Sequence, residues 1–138
     1  MKSTITIRLA RNAEAETIRL IVSSYHDYDF SDINWASIEP YWLAAEYDGE
    51  IIGCLQAMHG LPFGVIGFLS FIDSLNPMQT ARASKLLIGT AISSLTMAGV
   101  SALFTAVPFE QKQFKKLIKK HWYGEVYKPA NVMIKRLI

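Results

Sequence analysis

The sequence has a single cysteine, Cys54, so an internal disulfide and a cysteine-rich metal site are both excluded. Cys54 falls in a strand-like run, where a buried and unreactive thiol is expected. No window approaches the ~20 apolar residues that a membrane helix needs. The opening Met1-Lys2-Ser3-Thr4 is not followed by the uncharged apolar stretch of a signal peptide, and a cytoplasmic location is expected. Internal repeats, linkers and low-complexity tracts are missing as well. Hydrophobic residues make up 51% of the chain, too many for disorder. Its 138 residues suit one domain covering 1–138.

Carboxylates are scarce in the middle of the chain, where Asp73 stands alone between Glu50 and Glu110. The net charge of +2 conceals an asymmetry: ten Asp/Glu against four Lys/Arg up to Leu75, then two against ten from Asn76 onward. Oppositely charged segments fit two ligands, one cationic and one anionic, or else mutual attraction or separate solvated faces.

Periodicity supplies the elements. Thr4 to Leu9 alternates as a strand. Asn12 is placed to cap a helix whose apolar face is Ile18, Ile21, Val22 and Tyr25. His26 to Ser31 reads as an acidic, aromatic loop, and a short helix is expected over Asn34 to Ile38, ended by Pro40. Trp42–Tyr47 and Glu50–Met58 flank Asp48-Gly49, the signature of a type I′ hairpin. Phe63 to Ile72 reads as a central strand, with Gly64 and Gly67 marking a bulge or a close backbone approach. Gln79 to Ala98 reads as a helix ended by Gly99, lying on the sheet through Leu87, Ile88, Ala91, Ile92 and Leu95. A fifth strand over Val100–Val107, a helix opened by Pro108, and strands at Trp122–Tyr127 and Asn131–Leu137 complete the pattern. The expected architecture is α/β (α+β) with a mixed sheet, in the order β-α-α-β-β-β-α-β-α-β-β.

That order resembles the GNAT-type N-acetyltransferases over the whole chain. Trp42-Leu43-Ala44-Ala45-Glu46-Tyr47-Asp48-Gly49-Glu50-Ile51-Ile52-Gly53 resembles the family's hairpin of second and third strands. The resemblance implies transfer of an acetyl group from acetyl-CoA to a primary amine of a small molecule or protein, with no metal. It implies a pyrophosphate site where Gln79, Thr80, Ala81, Arg82, Ala83, Ser84 and Lys85 open the long helix, because small residues let backbone N–H groups reach phosphate there. The loop is degenerate, since Arg82 stands at the usual glycine position. The family's proton-donating tyrosine falls at Ile118, which leaves Tyr123 or Tyr127 as nearby substitutes. The thioester carbonyl is expected at the backbone of Phe71, Ile72 and Asp73.

Direct acyl transfer needs an uncharged amine and hence a base. Asp73 and Glu46 are the candidates, with capping of the next turn and a solvent-facing strand position as their ordinary alternatives. Tyr25, His26, Asp27 and Tyr28 could clamp a cationic acceptor by charge and cation–π contact, or form a plain acidic loop. His59 sits in a turn, where solvation is its ordinary role. Lys112, Lys115, Lys116, Lys119 and Lys120 recur along one helix as a solvated face or a phosphate contact, with Trp122 and Tyr123 directly after them. Three functions stay open at this point: an acetyl-CoA-dependent acyltransferase, a catalytically inactive binding or regulatory module of the same fold, and a small basic nucleic-acid-binding protein resting on the lysine helix alone. No membrane partner is expected, and a homodimer is compatible with the sequence.

Overall fold

The computed structural model describes residues 4–106 together with Lys115, Lys116, Lys119, Lys120 and Lys135. Five strands form one sheet: β1 (Thr6–Leu9), β2 (Trp42–Tyr47), β3 (Glu50–His59), β4 (Phe63–Phe71) and β5 (Ala102–Phe104), lying side by side in that order. The first four pair antiparallel, whereas β5 runs parallel to β4. Helix α1 (Ala15–His26) packs on one face, and α2 (Pro77–Met97) packs on the other.

Local chemistry accounts for the meander. Asp48 and Gly49 hold φ values of 53° and 79°, the paired left-handed geometry that a type I′ turn requires. Gly64 lets β5 approach closely, since a Cβ there would lie 3.0 Å from Leu103 Cδ2. The register between β3 and β4 slips between Cys54 and Gln56, so that Phe68 and Leu69 oppose the single residue Leu55. This is a bulge beside Gly67.

The two faces bury different residues. Against α2 lie Leu43, Ile52, Leu55, Ile66, Leu69 and Phe71, closed by Leu87, Ile88, Ala91 and Leu95. Each fully buried Leu or Ile there contributes about 1.5–3 kcal/mol. On the other face Ile18, Ile21 and Val22 of α1 cluster with Phe30, Ile38, Trp42 and Cys54. Burial pushes the Cys54 thiol up to about 12, so it is the inert thiol expected.

The structure corrects four expectations. No helix forms over 34–38: Asn34 accepts the Ala36 N–H, and Asn12 accepts the N–H groups of Ile38 and Glu39. Side chains thus take the donors that a helix would have paired with its own carbonyls. Asn12 is therefore spent on that loop and does not cap α1, and it begins a 3₁₀ turn over Asn12–Glu14. Helix α2 starts at Pro77, ahead of Gln79, because Asn76 caps it and proline suits the first helical position. The fifth strand is shorter than Val100–Val107. The helix and strands expected from Pro108 onward, with Lys112, Ile118, Trp122, Tyr123 and Tyr127, lie outside the described residues, although Lys115, Lys116, Lys119 and Lys120 are helical and exposed.

Candidate functional site

Where β4 and β5 pair, only Phe63, Gly64 and Val65 meet Ala102, Leu103 and Phe104. Beyond Val65, β4 runs on to Phe71 with no strand on that edge among the described residues. The Ile72 N–H donates to Ile52 O at 3.0 Å, toward β3. Strand groups alternate in direction, so the Phe71 N–H points to the opposite, unpaired edge. Of the three backbone positions expected to hold a carbonyl, Ile72 has thus spent its donor, and Phe71 offers one. The C-terminal end of β4 opens there beside the N-terminus of α2.

Helix α2 presents its positive end, partly satisfied from within. Pro77 has no N–H, Asn76 Oδ1 accepts from the Gln79 N–H at 2.8 Å, and Asn76 O accepts from the Thr80 N–H at 3.0 Å. The Met78 N–H is the donor left in that first turn. Gln79 Oε1 returns to the Asn76 N–H, completing a capping box. The hydroxyls of Thr80 and Ser84 donate to Asn76 O and Thr80 O. Ala83 and Ser84 are fully buried against the sheet, whereas Ala81, Arg82 and Lys85 are exposed. Arg82 and Lys85 make no ion pair among the described residues. From the segment Gln79–Lys85, the structure therefore brings two cations and one small residue to the surface beside the helix end.

The C-terminal turn of α1 lies along the end of β4, residue against residue. Ser24 Oγ donates to Asp73 Oδ2 at 3.4 Å. The ring of Tyr25 meets that of Phe71 edge-on, with centroids 5.8 Å apart. His26 Nε2 lies 3.1 Å from Ser70 Oγ. Ser70 has one proton and gives it to Phe68 O at 2.7 Å, so Nε2–H donates to Ser70 and Nδ1 is the acceptor in the neutral ring. Burial lowers the His26 pKa, partly opposed by the Leu69 backbone, so the ring is neutral at pH 7. Burial raises the Tyr25 phenol, which stays protonated.

These contacts unite Tyr25, His26, Phe71 and Asp73 in one corner, with Asp27 next in sequence in a left-handed cap at φ 50°. Tyr28 is set slightly aside, its ring 4.7 Å from Phe30. Glu46 is not brought there as a free carboxylate. It holds Arg8 Nε at 2.6 Å, and the same guanidinium grips both oxygens of Glu14 at 2.7 Å. Tyr123 lies outside the described residues. Phe68 sits in the bulge at φ 52°, and nothing in the sequence points to it beyond the neighbouring Gly67. A separate cleft of about 270 Å³, lined by Ile92, Leu95, Thr96 and Leu103 among others, lies at the start of β5, away from this corner. Among the described residues no group of His, Cys, Asp and Glu could hold a metal ion, and no helix is long and apolar enough to cross a membrane.

No protein-family model matches the sequence, and no curated protein matches it. Solved structures do share its architecture. An aminoglycoside N-acetyltransferase, AAC(6')-Iy, in complex with CoA superposes with a TM-score of 0.75 at 16% identity, covering 100% of this chain and 98% of that one. The diaminobutyrate acetyltransferase EctA from Paenibacillus lautus, in complex with L-2,4-diaminobutyric acid and coenzyme A, gives 0.72 at 13% identity over 86% of this chain and 75% of its own. The ribosomal-protein-alanine N-acetyltransferase from Brucella melitensis biovar Abortus 2308 gives 0.69 at 17% identity over 96% and 100%. The chain has the GNAT fold.

Proposed function

We propose that residues 1–138 form one domain that transfers an acetyl group from acetyl-CoA to a primary amine. The observation that carries this reading is the opening at the end of β4: the unpaired edge, the positive end of α2, and the acidic end of α1 converge there. It is supported by likeness to structures whose bound molecules are CoA and, in one case, a diamine.

In this reading the thioester lies along the unpaired edge, with its pyrophosphate near the Met78 N–H, Arg82 and Lys85. Asp73 takes a proton from the incoming ammonium, directly or through water, because only the neutral amine has a lone pair. The amine nitrogen bonds to the carbonyl carbon, and the oxygen gathers negative charge toward the Phe71 N–H. The nitrogen then loses its second proton to water, the C–S bond breaks, the amide is released, and the thiolate takes a proton, for which Tyr123 is the candidate carried over from the sequence. Glu46 is better read as the partner of Arg8 than as a base. A cytoplasmic location accords with this chemistry, and no nucleic acid or metal enters it.

A second reading, a non-catalytic module of the same fold, is favoured by one specific feature: the amides of Gln79 and Thr80 are already satisfied by Asn76. Release of free thiol from acetyl-CoA, followed with and without a panel of primary amines, tests the first reading. Amine-dependent thiol release supports it. Binding of acetyl-CoA with no release for any amine moves the assignment to the module.

A further inference from the structure

We infer that the acceptor is a primary amine carrying an aromatic body, held on a floor of rings centred on Phe68. This deepens the acetyltransferase reading and rests on it for the reaction, although not for the binding. Phe68 occupies the bulge of β4 in a left-handed conformation, φ 52°, which a bulky side chain rarely adopts and which costs on the order of 1 kcal/mol or more. Full burial in the core does not account for that strain, because the residue is 40% exposed. What the conformation achieves is a ring set among others: His26 at 5.7 Å and Phe30 at 5.8 Å, both edge-on, and Trp42 stacked at 6.2 Å and 29°. Tyr25 continues the row, 5.2 Å from His26 and itself 38% exposed. Trp42 and Phe30 are buried behind Phe68 and fix its plane. An exposed ring on a rigid aromatic base presents edges and faces to another ring.

The charge on the segments that build this floor is mainly negative, with Arg19 held by Glu16 and within electrostatic reach of Asp29. Between Arg19 and Arg82 every charged side chain is a carboxylate. Asp73 stands over Ser24 at one end of the ring row, and Asp27 follows His26 directly. Burial favours the neutral form of His26, so this ring adds little positive charge to the corner. The C-terminal end of α1 adds its partial negative charge. An ammonium therefore finds carboxylates and ring faces, and a flat apolar group finds Phe68. A polyhydroxylated amine would leave hydroxyls facing Phe68, a ring that can neither donate nor accept.

The test uses the full chain and two probes of equal charge, phenethylamine and ethanolamine. With acetyl-CoA, kcat/KM for phenethylamine should exceed that for ethanolamine by at least about tenfold. Phenethylamine alone should perturb tryptophan fluorescence through Trp42, and Trp42→Phe should remove that signal. Phe68→Gly deletes the ring while keeping a residue at ease with positive φ, so the fold survives it, as a melting scan will verify. In that variant the ratio between the two amines should collapse toward unity. Equal rates for both amines in the wild-type protein, or a ratio untouched by Phe68→Gly, would overturn the inference while leaving acetyl transfer intact. Fluorescence-detected binding of phenethylamine with no acetyl transfer to either amine would keep the aromatic floor and overturn the enzyme reading.

Discussion

The two faces of the sheet are built from different chemistry. The face under α2 is mainly aliphatic, with Phe71 at its end: Leu55, Ile66, Leu69, Leu87 and Ile88 are all buried to within 1%, and the buried hydroxyl of Ser84 is spent inside the helix. The face under α1 has the same strands but carries Trp42, Phe68, His26, Ser70 and Cys54, with the Arg8–Glu14–Glu46 ion network at its edge. Aliphatic packing gives rigidity and nothing to react with. Aromatic rings, an ordered histidine and a strained bulge cost more to hold, and they are found where β4 leaves β5. One face is mainly aliphatic; the other carries the polar and aromatic groups on which the proposed function rests.

The sharpest break between the faces should come from Leu87→Ala. It removes a fully buried side chain from the α2 face and should cost about 2–5 kcal/mol in urea unfolding, without altering selectivity between amines. A change in selectivity with no loss of stability would erase the distinction between the faces.

A smaller effect is expected from Arg82→Ala on the exposed side of α2. If Arg82 contributes its charge to phosphate, acetyl-CoA binding should weaken by about 1.5–3 kcal/mol at low salt. Calorimetry should find that loss shrinking as salt rises, since an exposed ion pair is screened. Tighter binding by the variant would mean that the side chain fills the space which CoA would occupy.

The smallest expected effect lies at the edge of the α1 face. A hydrogen bond from Arg8 holds Glu14 at about 2, below its ordinary 4.5. Its folded pKa is depressed, so its stabilisation is complete above pH 4.5 and fades as pH falls toward 2. Solvent screening reduces this contribution to about 1 kcal/mol. Urea midpoints measured between these pH values should fall for the wild type, and Arg8→Gln should flatten or reverse that limb.

Much of the frame was legible because particular residues permit few alternatives. Asp48-Gly49 demands positive φ twice, and the apolar run from Phe63 to Ile72 suits a strand, although Phe63, Val65 and Phe68 leave one face of it exposed. Helix α2 starts about half a turn ahead of the expected Gln79 because Asn76-Pro77, a break in local sequence terms, is also how a helix opens. The helix expected over 34–38 failed for a non-local reason: Asn12, 26 residues earlier, takes the N–H of Ile38. The site was legible as separate candidates only. Tyr25, His26 and Asp73 become a corner when the end of α1 docks on the end of β4, and no spacing in the chain encodes that docking. Phenylalanine gives no warning of a left-handed bulge, so Phe68 was invisible.

The position at which acetyl-CoA binds is the most direct test of acetyl transfer at the end of β4. Amide NMR of the full chain titrated with acetyl-CoA should show its largest shifts at Phe71–Asp73 and Met78–Lys85, with a stabilisation of about 2.7 kcal/mol when the ligand stands at 100 times its Kd. Unchanged spectra and melting at saturating acetyl-CoA, or shifts confined to the cleft of Ile92, Thr96 and Leu103, would contradict it.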